Sequence, residues 1–134
     1  DRAATRNDEG ARERFERWRR GETGESFVDA HLRELAHTGH LTSFGRRLVA
    51  SYLYHDLRLD WRWGAAWFAS RLLDDDPSVN LADWMAVTGF WQLDQQARLD
   101  PAEQAARRDP DGSYTHRWLK SAPAPAGRVG QAAA

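Results

Sequence analysis

The reading of this chain turns on residues 41–84, LTSFGRRLVASYLYHDLRLDWRWGAAWFASRLLDDDPSVNLADW. Phe44, Leu48, Tyr52 and Leu53 recur at helical spacing, and Val49 and Leu57 widen the apolar stripe, which predicts one amphipathic helix. A short turn follows. Asp60 is placed to cap a second helix, whose inner face reads Trp61, Ala65, Phe68 and Leu72. Its last turn would carry Asp74, Asp75 and Asp76, after which Pro77 cannot continue it. Three carboxylates there would face the negative end of the helix dipole and need a compensating cation. Arg46 and Arg47 lie close enough if the two helices run antiparallel.

Working outward, residues 1–10 lack a periodic pattern and are expected to be a disordered start. The run ARERFERWRR from Ala11 is helical by propensity, with Phe15 and Trp18 on one face. GETG at 21–24 breaks it, and lacks the strand and the Lys-Ser/Thr that a phosphate-cradling loop requires. Ser26 and Asp29 have the spacing of a capped helix start, with Val28, Leu32, Leu35 and Ala36 as the buried stripe and Thr38-Gly39 as the stop. A shorter helix is expected from about Val79 to Val87. Phe90, Trp91 and Leu93 read as apolar anchors of a loop. Asp100-Pro101 opens another helix to about Arg108, with Asp100 as its cap and Glu103 three residues after it. DPDG at 109–112 is turn chemistry, and Ser113–Leu119 is a last short helix with Tyr114 and Trp118 one turn apart. The Ala/Pro/Gly-rich residues 121–134 are expected to be a disordered tail. No strand signal survives, so the expected fold class is all-α, with one domain over 11–120.

Composition narrows the chemistry. The 19 basic and 20 acidic residues leave a formal net charge of −1, so no global basic field advertises nucleic acid. The absence of cysteine excludes disulfides, thiolate nucleophiles and cysteine-ligated metals. No apolar run approaches the roughly 20 residues of a membrane span, which makes the cytoplasm the expected location. No metal site is expected either. His37 and His40 straddle a helix end without a third ligand, and Asp74 to Asp76 lack the glycine and bidentate glutamate of a calcium loop. There is no nucleophile elbow and no Cys-His pair. Seven tryptophans are the outlier. Large rings fill helical cores, but seven in so short a chain are also expected where an aromatic cofactor is enclosed or where stacked rings carry electrons.

Three ordered blocks with preserved spacing resemble the C-terminal, flavin-binding half of the photolyase/cryptochrome family. They are FERWRRGETGESFVDAHLRELAHTGHL, GRRLVASYLYHDLRLDWRWGAAWFASRLLDDDPSVNLADW and PAEQAARRDPDGSYTHRWL. The resemblance covers about Phe15 to Leu119. It implies a helical FAD-binding domain in which Arg46 and Asp74 form a buried ion pair beside the flavin. Asp74 and Asp76 would line the polar edge of the ring, and Asn80 would face its N5. Trp84 and Trp61 would be the proximal and middle members of a tryptophan relay that photoreduces the flavin. The implied activity is that of a light-dependent DNA photolyase, a carbon–carbon lyase acting on pyrimidine dimers in damaged DNA.

The departures from the family pattern carry information too. Ser43 and Phe44 stand where the family has Asn then Arg, residues that contact the lesion or its backbone. Arg47 replaces an apolar or amide residue and Ala86 an aromatic one that flanks the flipped dimer. A lost ring removes stacking of about 1–3 kcal/mol per base, and Phe44 removes a charged contact to a polyanion. A distal tryptophan expected before Trp18 is absent, with Asp8 near its place. The family's N-terminal half, an α/β antenna domain and the helices that hold the cofactor's phosphates, is not in this sequence. The expectation is therefore a photolyase-type segment, with a cryptochrome-like photoreceptor or an inactive truncated remnant as alternatives.

Overall fold

A computed structural model describes residues 9–89 and 98–120. Helix α1 (Ala11–Arg20) is followed by α2 (Ser26–Thr38), α3 (Ser43–Ser51) and a π-helical turn (Tyr52–Asp56). Then come α4 (Trp61–Arg71), α5 (Pro77–Thr88), α6 (Pro101–Arg108) and α7 (Ser113–Leu119). Among the described residues there is no strand, so the all-α class holds. The expectations for residues 1–8 including Asp8, for Phe90, Trp91 and Leu93, and for the 121–134 tail lie outside the described residues.

Turn chemistry sets most helix ends. Gly21, Gly39 and Gly112 stand at φ of 73°, 73° and 72°, where a side chain would be strained, and each ends or precedes a helix. Asp60 caps α4 through its carboxylate, which accepts from the Arg62 N–H at 3.0 Å. Thr42 caps α3 by accepting from the Gly45 N–H. Asp100 precedes α6 as expected, but its side chain makes no capping bond. Ser26 begins α2 without capping it, and Glu25 occupies the cap position. Asp29 is instead turned back onto the GETG loop. There it accepts from the Thr23 N–H, the Thr23 hydroxyl and the Gly24 N–H, and so fixes the α1–α2 connection.

The acidic stretch differs most from its expected role. α4 stops at Arg71, before the three aspartates, so they are not its last turn. The chain leaves the helix as Leu73 donates its N–H to Gly39 O, pairing this turn with the α2–α3 loop. Asp76 then caps α5, accepting from the Ser78 and Val79 N–H groups with Pro77 in the first turn. α5 therefore begins two residues before the expected Val79. Asp76 thus faces the positive end of a helix dipole, the reverse of the anticipated conflict.

The core gathers Phe15 and Trp18 of α1, Leu32 and Leu35 of α2, Leu48 and Val49 of α3, and Trp67 and Phe68 of α4. Trp84 of α5 closes it and is wholly buried. Ala36 and Ala65, expected inside, are only half-buried, while Gly64 and Trp67 take the inner face of α4. A fully buried Arg19 is tolerated because Glu16 neutralises it at 2.7 Å and the Trp67 ring lies beneath its guanidinium. No helix among the described residues is long and apolar enough to cross a membrane.

Candidate functional site

α5 packs against both α3 and α4, and these three helices carry most of the sequence-predicted site residues. Arg46 reaches from α3 to the turn after α4, where one guanidinium nitrogen lies 3.0 and 3.1 Å from the two carboxylate oxygens of Asp74. Its Nε donates to Leu41 O at 3.0 Å, which sets the direction of the side chain. The pairing matches the antiparallel reading, but its burial does not. Arg46 is 14% exposed and Asp74 is 62% exposed, so the carboxylate keeps its water and this is not a buried pair.

Three buried polar atoms in the next dozen residues have no hydrogen-bond partner: Asp75 Oδ1, Asn80 Oδ1 and Trp84 Nε1. Asn80 uses its Nδ2 to donate to Ala65 O at 3.2 Å, which orients the amide and leaves its oxygen unsatisfied. Asn80 and Trp84 lie one helical turn apart on α5, so the orphan acceptor and the orphan donor belong to neighbouring positions of one helix. Buried polar groups are ordinarily paired, and such a cluster marks the edge of something that completes it. Asp76 faces its own helix start instead, and its carboxylate is spent on Ser78 and Val79.

The Trp84 indole lies against Trp61 of α4 with ring centroids 6.5 Å apart and planes tilted by 33°. On its other side Phe68 lies 5.3 Å away and leads to Trp18 at 6.2 Å. Trp84 is sealed from solvent whereas Trp61 is half-buried, so the pair links the interior to the surface of α4.

Ser43, Phe44 and Arg47 fall on the first two turns of α3, and Ala86 on the facing helix α5. Ser43, Arg47 and Ala86 are exposed, and Phe44 is half-buried. Sequence reasoning missed two partners here. Asp83 of α5 is partly buried and feels Arg46 and Arg47; burial raises its carboxyl pKa, and the two guanidinium groups counter part of that rise. Arg108, at the end of α6, lies over the Phe44 ring with its guanidinium carbon 3.7 Å from the centroid. A cation thus stands against Phe44, the position at which the resemblance implied that one was lost. Nothing in the local spacing links residues 44 and 108, which meet only through the fold. Among the described residues no group of three metal-ligating side chains occurs.

The family model described as the FAD binding domain of DNA photolyase matches residues 1–126, and the chain belongs to the photolyase/cryptochrome family as part of its FAD-binding domain. FAD is the cofactor of that domain. The chain is 46% identical over 105 residues to a cryptochrome DASH of Natronomonas pharaonis, covering 78% of this chain and 22% of that protein. It is similar to the crystal structure of a Synechocystis cryptochrome, with a TM-score of 0.80, 40% identity and coverage of 84% and 23% of the two chains. A class III photolyase from Agrobacterium tumefaciens matches with a TM-score of 0.76 and 34% identity, over 90% of this chain and 25% of that one. The chain therefore spans about a quarter or less of the length of these relatives.

Proposed function

We propose that this chain is the C-terminal part of the FAD-binding domain of a light-dependent flavoprotein that acts on pyrimidine dimers in DNA. The observation that carries the reading is the orphan pair Asn80 Oδ1 and Trp84 Nε1, buried beside the Trp61–Trp84 contact. FAD, when bound, supplies the light absorption and the electron that opens a dimer. The remaining roles belong to the chain. Arg46 anchors Asp74 at the polar rim, and Asn80 offers its amide oxygen to the cofactor edge. Asp76 holds the start of α5, and with it the depth and angle of Asn80 and Trp84. Trp61 and Trp84 pass an electron between surface and interior. Tunnelling falls steeply with distance, so two rings in near contact replace one long transfer by two short ones.

The substrate side is Ser43, Phe44, Arg47 and Ala86, facing damaged DNA. Its composition favours a second reading, a cryptochrome-like photoreceptor in which the same flavin chemistry drives a conformational or partner change. Ala86 offers no ring for stacking, and relatives carrying either name are similar to this chain. Both readings draw on the rest of the family fold, the N-terminal half that holds the cofactor's phosphates.

The test is a visible spectrum of the purified chain with added FAD, then blue illumination with an external reductant. Bound flavin that bleaches in the parent but not in Trp84→Phe supports the cofactor site and the relay. Flavin that remains free at high protein concentration sinks the claim that this segment holds it. Repair of a dimer-containing oligonucleotide under the same light then separates the first reading from the second.

A further inference from the structure

Behind Phe44 lies a pocket of about 360 Å³ that the flavin site does not use. Its back is a tight cluster of rings. His31 meets Phe27 edge-on at 4.7 Å and Tyr114 at 4.7 Å, with Phe44 6.0 Å away. Arg108 forms one wall, with its guanidinium carbon over the Phe44 ring. That leaves a slot bounded by π faces and a guanidinium plane, surfaces on which planar heterocycles stack.

Apart from the Thr42 hydroxyl and the Arg108 guanidinium, the polar side chains lining the slot offer acceptors. His31 is 6% exposed, and its Nδ1 lies 2.8 Å from Phe27 O, so Nδ1 carries the hydrogen and donates. Its Nε2 is then a lone-pair acceptor with no protein partner, on a residue that lines the pocket. Burial lowers the imidazole pKa and keeps this neutral form at pH 7. Glu34 accepts the Tyr114 hydroxyl and Asp109 accepts from Thr115 and Tyr114, so both present further acceptor oxygens rather than donors. A ligand edge facing His31 and these two carboxylates must therefore donate. A phosphate would be repelled by the two carboxylates but meets Arg108, with the exposed Arg107 beside it in the chain and the exposed Arg47 one turn along α3 from Phe44.

We propose that this pocket takes an unpaired, amino-bearing nucleobase of single-stranded DNA, stacked on the face of the Arg108 guanidinium turned away from Phe44, with its amino edge toward His31 Nε2. It rests on the DNA-directed reading above and adds to it a subsite beside the positions Ser43 and Phe44. Arg108 serves twice, as a stacking plane for the base and as the cation for its phosphate. This restores from α6 the charge that Phe44 removes from α3.

The test uses the 134-residue chain and an oligothymidylate carrying one 2-aminopurine, a fluorescent base with an amino edge. Stacking should quench the probe, and this oligonucleotide should bind about tenfold more tightly than plain oligothymidylate of equal length. Arg108→Ala and Phe44→Leu should each reduce that preference to about twofold or less, while Arg108→Lys keeps the salt dependence and loses the quenching. Equal affinity for the two oligonucleotides, or binding without quenching, overturns the proposal. So does tighter binding of the corresponding duplex or oligoribonucleotide. Flavin absorbance of the same samples separates the two readings. Base preference without retained FAD supports the pocket and counts against a flavin site held by this segment, whereas retained FAD without base preference does the reverse.

Discussion

The Trp84 indole occupies the space that a side chain at position 64 would fill. A Cβ built on Gly64 would lie 2.3 Å from Trp84 Cη2 and 2.7 Å from Cζ2, with Leu53 Cδ1 at 3.2 Å. α4 and α5 therefore meet at a missing side chain, and that contact also sets the distance between Trp84 and Trp61.

Gly64→Ala should be destabilising, although alanine is the better helix former. The propensity gain of about 0.8–1.0 kcal/mol is outweighed by overpacking, which typically costs about 1–3 kcal/mol where neighbours cannot yield. Trp84 is fully buried and Leu53 blocks the other side, so the indole must move as a whole. A lower melting temperature together with a changed Trp84 emission spectrum is expected. A variant more stable than the parent would refute the close packing.

Arg46 and Asp74 should be weakly coupled for stability. Asp74 is largely hydrated, and Arg46 retains its bond to Leu41 O when the carboxylate is removed. Asp74→Ala is expected to cost about 1 kcal/mol or less, in the range of exposed pairs, rather than the 3–5 kcal/mol that follows from stripping a buried one. Chemical denaturation of the two single variants and the double variant measures the coupling. If the pair also serves the flavin rim, FAD affinity should fall by more than stability does.

Asp76→Ala should cost about 0.5–2 kcal/mol through the loss of its cap on α5. Asp76→Asn and Asp76→Ser should recover most of it, because both offer an oxygen to the Ser78 and Val79 N–H groups. Thermal melts of the three variants decide this. A uniform loss across all three would mean that the charge, and not the cap, is what matters.

Asp109 ties α6 to α7 and should make the fold acid-sensitive. Burial alone would raise its carboxyl pKa. The Thr115 hydroxyl and the N–H groups of Thr115 and Tyr114 outweigh that and hold it below the ordinary value. A lowered carboxylate pKa stabilises the fold above the unfolded value of about 3.9 and loses that contribution as pH falls through the folded one. Asp109→Asn should therefore be less stable than the parent at pH 7, by roughly 1–3 kcal/mol, with the difference shrinking toward pH 3. Denaturant melts at the two pH values give the comparison.

The helices were readable because their ends are written in residue chemistry: Gly39, Asp60 and Gly112 each act locally. The acidic run was misread for a reason equally local. Whether Asp76 ends α4 or starts α5 depends on where α4 stops, and Leu72 and Leu73 carry no stop signal. The inner face of α4 was misplaced because Gly64 contributes nothing to a hydrophobic pattern, although a neighbour's ring fills its place. The Arg46–Asp74 contact followed from antiparallel packing, while its hydration depends on surroundings no spacing encodes. Arg108 over Phe44 and the acceptor-lined slot behind them join α2, α3, α6 and α7, and only the assembled fold brings those together.

His31 gives the last test, because its titration should be visible in stability near neutrality. Burial lowers its pKa; the Phe27 carbonyl, Glu34 and Asp109 pull the other way without cancelling that effect. Tyr114 and Arg108 complete its surroundings, the first in ring contact and the second across Phe44. The unfolded chain binds a proton near pH 6.5 and the folded chain resists it, so stability is full above that value and falls as pH drops toward the folded pKa. The parent should lose stability between pH 7 and pH 5, before the carboxylates titrate. His31→Gln, which cannot be charged, should show a flatter profile over that interval, even if it starts from a lower value. Equal slopes in the two proteins would mean that His31 takes up its proton as readily in the folded ring cluster as in water, and that its Nε2 is not the neutral acceptor on which the pocket depends.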